Sequence, residues 1–144
     1  MGYWEKTVLE TELSRESFVG WYRNPSRAMA NSLRIAYLND VGKWSSVQVD
    51  FLVISRRDDG SLIVSIVDPH GDHLADAKGK LRALASFAET HGERFLRIES
   101  IAKASNGVLR SLDLQDPATR EAVRLFEGGK VTALYESTVA DTFQ

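Results

Sequence analysis

Two runs of apolar residues near the middle of the chain give its clearest predicted elements. Residues 47–55 are VQVDFLVIS, residues 61–68 are SLIVSIVD, and the segment between them ends in Asp59-Gly60. Asp-Gly between two β-rich runs is a strong signal for a β-hairpin. Because both runs are apolar on both faces over most of their length, the sequence predicts two central strands that are covered on both sides.

Helical periodicity flanks this hairpin on both sides. Apolar residues recur at helical spacing in residues 4–13 and 74–91, and Asp116-Pro117 supplies an N-cap and a first-turn proline for a third helix that ends at Phe126. The apolar stripe of the second helix consists of Leu74, Ala77, Leu81, Leu84, Ala85 and Ala88. Further strands are predicted over residues 33–38, 94–103, 108–114 and 131–136. This order predicts an α/β fold, with one mixed β-sheet that contains a central hairpin and is flanked by helices.

The turn of the hairpin decides which residues face each other across the two strands. If residues 58–60 form a three-residue turn, with Gly60 in the left-handed conformation, then Asp50 and Asp68 lie directly opposite on one face. Their Cβ atoms are then about 4.5–5.5 Å apart. A two-residue turn would place Asp50 opposite Pro69, so the pairing of the two acids depends on the turn.

Two facing carboxylates in a largely apolar sheet repel each other and are costly to desolvate. A divalent hard cation with oxygen ligands compensates for both effects. An arginine partner, or a raised pKa of one of the acids, is the alternative. The sequence therefore predicts either a metal site or a perturbed ion pair at this end of the hairpin.

Composition narrows the classes of function. The 144 residues suit one domain, 43% of them are apolar, and the absence of cysteine excludes disulfides and thiolate zinc sites. The net charge of −2 is low for a free-standing nucleic-acid binder, so DNA contact would come from local basic patches or a larger partner. Without a signal peptide or an apolar run near the roughly 20 residues that span a membrane, we expect a cytoplasmic protein with no membrane contact.

The ordered set of residues around the hairpin resembles the PD-(D/E)XK nuclease superfamily. Asp50 within one hairpin strand, the triplet Asp68-Pro69-His70 at the end of the next, and a following helix match its pattern of an acid, an acid-x-base triplet and a helix. The stretches GWYRNPSRA, VDFLVI and SIVDPHGDHLADAKGKL are similar to the C-terminal endonuclease domain of type III restriction enzyme Res subunits. The resemblance implies a restriction-endonuclease-like fold, with residues 1–144 as a single domain of a longer, helicase-containing protein.

The resemblance also implies a function and its residues. It implies Mg²⁺-dependent hydrolysis of double-stranded DNA, with Mn²⁺ as a substitute ion and Asp50 and Asp68 as metal ligands. A helicase (ATPase) region of the parent chain and a methyltransferase subunit are the implied partners. His70 stands where the pattern has a lysine, and it is shorter and mostly neutral at pH 7. Lys78 is therefore the candidate replacement, and Glu12 is the candidate for the acid that the family often places on its first helix.

Competing interpretations stay open at this point. Lys78 is also typical of a helix-flank lysine and Glu12 of a solvated acid, while Asp68 and Asp72 are able to cap the helix that follows. The string Asp-x-His-x-Asp-His also resembles the metallo-β-lactamase signature, although that fold needs more histidines than the remaining His91. The replacement at His70 supports a second hypothesis, a catalytically degenerate domain that binds DNA or docks on a helicase core. Candidate DNA contacts are Arg23, Arg27, Arg34, Arg56, Arg57, Lys78, Lys80 and Arg82.

Overall fold

The computed structural model describes residues 2–25, 33–38, 41–69 and 77–144. Its helices are α1 (Tyr3–Leu13), α2 (Ala77–His91), α3 (Pro117–Leu125) and α4 (Thr132–Tyr135), with a 3₁₀ turn at Gly92–Arg94. Its strands are β1 (Phe18–Arg23), β2 (Arg34–Leu38), β3 (Trp44–Gln48), β4 (Phe51–Arg56), β5 (Leu62–Pro69), β6 (Phe95–Lys103), β7 (Leu109–Asp113) and β8 (Asp141–Thr142). Within these ranges, no helix has the length and apolar character needed to cross a membrane.

The strands form one large mixed sheet and one small sheet. Six strands lie in the order β1-β4-β5-β6-β7-β8, and β2 and β3 form a separate two-stranded ribbon. Only β5 and β6 are parallel, and every other pair in the described residues is antiparallel. A parallel pair needs a crossover between its strands, and α2 supplies it. The predicted α/β class, with a mixed sheet flanked by helices, is confirmed.

The two faces of the large sheet are covered by different helices. On one face, Val8 and Trp4 of α1 pack with Phe51, Val53 and Val67 of the central hairpin. On the other face, α2, α3 and α4 bury a larger core, which also includes Ile35 from the two-stranded ribbon. The predicted α2 stripe is confirmed at Ala77, Leu81, Leu84, Ala85 and Ala88, all of which are buried, whereas Leu74 lies outside the described residues. Because β4 and β5 are sandwiched between these layers, both are apolar on both faces.

Of the two hairpin registers that the sequence leaves open, the structure has the one with the three-residue turn. Phe51 pairs with Val67, and Arg56 pairs with Leu62. Arg57 N–H donates to the Ser61 carbonyl at 2.8 Å and closes a three-residue turn. Gly60 takes a left-handed φ of 87°, which a glycine adopts without steric cost.

Two expectations about strands are wrong, and one strand is not foreseen by the sequence. The predicted strand over residues 47–55 is two strands, because the chain bends at Asp50 and passes from the small sheet into the large one. The sequence does not predict the edge strand β1, because FVGWYR lacks an alternation of apolar and polar residues, although its burial does alternate. The predicted strand over residues 131–136 contains the short helix α4 instead. Leu134 and Tyr135 are consecutive and both enter the same core cluster, an arrangement that a flat strand does not allow.

The turn geometry yields a stability prediction. Gly60→Ala should lower the free energy of unfolding by about 1–2 kcal/mol, because alanine is strained at this φ. No atom lies within 4 Å of an added Cβ, so the whole effect is conformational. Gly20→Ala is the matched control, since Gly20 has equal space and no positive φ. Urea denaturation of both variants checks this, and an equal effect of the two substitutions would contradict it.

Candidate active site

The last residues of β5 bring a carboxylate into the interior of the protein. Asp68 pairs with Ser100 of the parallel strand β6, and its side chain is fully buried. Its Oδ1 atom accepts a hydrogen bond from the backbone N–H of Asp50 at 2.9 Å. The same Oδ1 atom lies 3.0 Å from Nζ of Lys80 on α2. The Oδ2 atom of Asp68 is equally buried and accepts no hydrogen bond from the described residues.

Asp50 lies at this point because the regular pairing of β4 with β5 ends at Phe51, the residue next to it in the chain. The ladder begins at Phe51 opposite Val67, so the next residues outward are Asp50 and Asp68. The bend at Asp50 turns its N–H toward the Asp68 side chain, and its carbonyl accepts from the Asn24 N–H at 2.8 Å. The structure therefore brings together the two acids that the hairpin register pairs.

The electrostatic environment of Asp50 is strongly perturbed. Burial, followed by repulsion from Asp68, raises the pKa of Asp50 from 3.8 to about 6. Glu5, in the first turn of α1, raises this pKa further, whereas the positive charges of Lys80 and Arg23 lower it. A third acid and two cations therefore surround the pair at the same end of the sheet.

The lysine at the site is Lys80, and the candidate Lys78 contacts another part of the fold. Lys78 Nζ donates to the Glu127 carbonyl at 2.9 Å, beyond the end of α3. The two lysines lie on opposite flanks of the apolar stripe, about 200° apart around the helix. Sequence analysis gave Lys80 only as a DNA contact, because nothing in the local pattern decides which flank of α2 faces β5.

Glu12 belongs to a structural ion network and is not solvated, since its side chain is 1% exposed. Both of its oxygens accept hydrogen bonds from Arg15, two residues after the end of α1, and from Arg97 on β6. Arg97 also lies 3.2 Å from Glu99. The acid of α1 that acts on Asp50 is Glu5. Glu5 lies seven residues before Glu12, on nearly the same helical face and about 10 Å from it along the helix axis.

Several sequence candidates lie outside the described residues. These are His70, Asp72 and His73, with the capping turn and the metallo-β-lactamase pattern that depend on them, and Arg27. Among the residues that the structure does describe, no three or more histidine or acidic side chains cluster in a way that would hold a metal ion. Two carboxylates of the described residues, those of Asp50 and Asp68, thus meet at the site.

The candidate DNA contacts are spread over the molecule. Arg23 lies near Asp50, whereas Arg56 and Arg57 follow the opposite end of β4, where Arg56 donates to the Gly60 carbonyl. Arg82 donates to the carbonyls of Arg124 and Phe126 and so ties α2 to the end of α3. The cations near the acid pair are thus a small subset of those that the sequence offered.

The fold and the site together define an α/β domain with a buried pair of aspartates at one end of a mixed sheet. The chain belongs to the YagJ family, which it matches over residues 1–144. It is 42% identical to Protein YagJ of Escherichia coli (strain K12), an identity that covers all of this chain and 57% of that protein. The chain therefore spans little more than half the length of this curated relative. No solved structure matches the chain significantly.

The raised pKa of Asp50 predicts how stability depends on pH without divalent ions. The folded state holds this proton more tightly than the unfolded chain, so the contribution of Asp50 to stability falls as pH rises from about 4 to about 6. Asp50→Asn should remove this loss and stabilise the protein at pH 7.5 by about 1–3 kcal/mol relative to wild type. Urea denaturation in EDTA between pH 4 and 7.5 measures the difference. A difference that stays constant across this range would contradict the prediction.

The two acids of α1 should behave differently when neutralised. Glu5→Gln should lower the pKa of Asp50, because it removes a nearby negative charge. Glu12→Gln should leave that pKa in place but lower the free energy of unfolding by about 3 kcal/mol, because it breaks a buried ion network. A ¹³C NMR titration of the Asp50 carboxyl group and urea denaturation separate the two effects. If only Glu12→Gln changed the pKa of Asp50, the assignment of Glu5 to the site would be wrong.

Proposed function

We propose that this domain is a Mg²⁺-dependent endonuclease that hydrolyses phosphodiester bonds of double-stranded DNA. The observation that carries the proposal is the meeting of Asp50 and Asp68 at the end of the central hairpin, with a buried carboxylate oxygen that accepts no hydrogen bond from the described residues. The acid in one hairpin strand, the acid that ends the next and the helix that follows are the features on which the resemblance to PD-(D/E)XK nucleases depends. The restriction-endonuclease-like fold is part of the same proposal.

The residues present fit a divalent cation. Asp68 Oδ2 is a buried acceptor that finds no donor in the part of the chain that the structure describes, which is costly unless something positive approaches it. A cation beside Asp50 would also favour its ionised form and reverse the rise in its pKa. Mg²⁺ usually takes one or two carboxylates and completes its shell with water and substrate phosphates, so a pair of acids suffices. When bound, such an ion supplies an activated water and polarises the phosphate.

Lys80 would supply the positive charge that the family pattern assigns to the lysine replaced by His70. Its ammonium lies 3.0 Å from Asp68 Oδ1, and only 12% of its side chain is exposed. A cation held in this way needs no reorganisation to stabilise the negative charge that develops on a phosphate beside the two acids. A charge brought in from α2 would thus compensate for a histidine in the strand triplet.

The implied partners belong to the proposal as well. A helicase region of a parent chain and a methyltransferase subunit would deliver and protect DNA in a type III restriction system. A non-cleaving domain that binds DNA or docks on a helicase core is the second candidate. The ion pair between Lys80 and Asp68 favours it, because Asp68 is neutralised without any metal.

A plasmid assay decides between the two functions. Purified protein with Mg²⁺ or Mn²⁺ should nick or cut supercoiled plasmid, and Asp50→Asn and Asp68→Asn should abolish this. Lys80→Gln should reduce cleavage by about 100-fold or more, because it removes preorganised charge. Lys78→Gln is the matched control, since this neighbouring lysine contacts Glu127 and should keep wild-type activity.

Binding of Mn²⁺ gives a readout that does not depend on cleavage. Paramagnetic broadening of NMR signals from residues 50 and 68 should appear in wild type and disappear in Asp68→Asn, with far-ultraviolet circular dichroism confirming that the variant folds. Binding should weaken below about pH 6, where Asp50 holds its proton. Cleavage by neither this chain nor the longer E. coli relative, together with no Mn²⁺ binding, would exclude the nuclease and favour the second candidate.

A further inference from the structure

The outward face of the two-stranded ribbon of β2 and β3 is polar at its root, where Arg34 pairs with Gln48, and apolar at its tip, where Leu38 pairs with Trp44. Exposed and more buried residues alternate along β2 and from Trp44 to Val47 of β3, whereas Gln48 is half-buried. The residues of the outward face pair across the ribbon. From root to tip, the outward pairs are Arg34 with Gln48, Ala36 with Ser46, and Leu38 with Trp44. The tip pair is 59% and 76% exposed, and the nearby Val41 is 76% exposed. Few large apolar side chains among the described residues are as accessible, and these three lie together.

The root of this ribbon is fixed to the candidate active site. The Asn24 side chain donates to the Leu33 carbonyl at 2.6 Å and accepts from the Leu33 N–H at 2.8 Å. The Asn24 backbone N–H also donates to the Asp50 carbonyl. On the inward face, Ile35 packs in the core with α2. The ribbon therefore holds a defined position relative to the two aspartates, and its tip lies about 20 Å from them if the chain stays extended between Trp44 and Asp50.

We propose that this ribbon lies in a groove of duplex DNA beside the candidate active site, with Leu38 and Trp44 against the bases. The inference rests on the proposed nuclease function and adds the element that engages the substrate. In the major groove, an exposed aromatic and aliphatic pair makes apolar contact with base edges, in particular with the methyl group of thymine.

The dimensions and charge of the ribbon fit this partner. The major groove is about 12 Å wide and admits a two-stranded β-ribbon, whose strands are about 4.8 Å apart. The small side chains of Ala36 and Ser46 let the ribbon backbone approach closely, and Arg34 lies at the root, where the phosphates next to the acids would pass. Residues 33–48 contain two basic residues and one acidic residue, whereas the whole chain has 18 basic and 20 acidic residues. The ribbon is thus positive on an otherwise acidic protein.

Fluorescence anisotropy with a labelled duplex tests the proposal in EDTA, which stops metal-dependent cleavage. Trp44→Ala should weaken binding about tenfold at every salt concentration, because apolar contact does not release counterions. Arg34→Gln should instead make the negative slope of log affinity against log salt less steep by about 1. Leu62→Ala is the control, since Leu62 is also an exposed apolar residue but lies at the far end of the central hairpin. Duplex DNA should also quench tryptophan emission in wild type and do so less in Trp44→Phe.

Two outcomes would overturn the proposal. One is wild-type affinity for Trp44→Ala, with circular dichroism showing that the variant folds. The other is a DNA-independent dimer in sedimentation that Trp44→Ala dissociates, which would make the tip a self-association surface. Plasmid cleavage by the wild type, together with wild-type DNA affinity of Trp44→Ala, would contradict this inference and leave the nuclease function standing. Binding through Trp44 without cleavage, even by the longer E. coli relative, defeats the nuclease function alone.

Discussion

Burial of the Asp68 carboxylate at the end of β5 constrains the arrangement of everything around it. A carboxylate without solvent must be matched by donors or by positive charge. Asp68 Oδ1 finds one donor in the backbone of Asp50 and one cation in Lys80. The first contact accompanies the bend that separates β3 from β4, and the second ties the start of α2 to the sheet. The two-stranded ribbon and the crossover helix therefore meet at one buried oxygen atom.

The fold contains a second buried carboxylate, and comparison of the two explains why only one looks functional. Glu12 accepts hydrogen bonds on both oxygens from two arginines, so its charge and its hydrogen-bonding capacity are used up within the protein. Asp68 has one oxygen that is satisfied and one that receives no hydrogen bond from any described residue, and it lies beside Asp50, whose pKa burial and repulsion raise to about 6. Unsatisfied buried polar groups and perturbed pKa values concentrate at functional sites. A saturated ion network such as that of Glu12 is typical of a structural role.

The region shared with the YagJ-family relative from E. coli covers every position of the candidate site. The relative is longer, and this chain corresponds to 57% of it. The two aspartates, the ribbon and the α1 acid all lie within the 144 residues over which the two proteins match.

The sequence by itself determined the central hairpin, because turn chemistry and strand periodicity are local properties. It left two turn lengths open, and the three-residue turn that the structure has is the one that pairs Asp50 with Asp68. The 3.6-residue period gave the buried stripe of α2 from Ala77 to Ala88. Tertiary structure alone decided which flank of α2 faces the sheet, and hence that Lys80 rather than Lys78 meets Asp68. It also decided that Glu5, two turns before Glu12 on the same helical face, is the acid near the site, and that residues 132–135 form a helix. The physical reason is that local sequence fixes the period of an element, whereas its rotation and its position along its axis depend on the surfaces that pack against it.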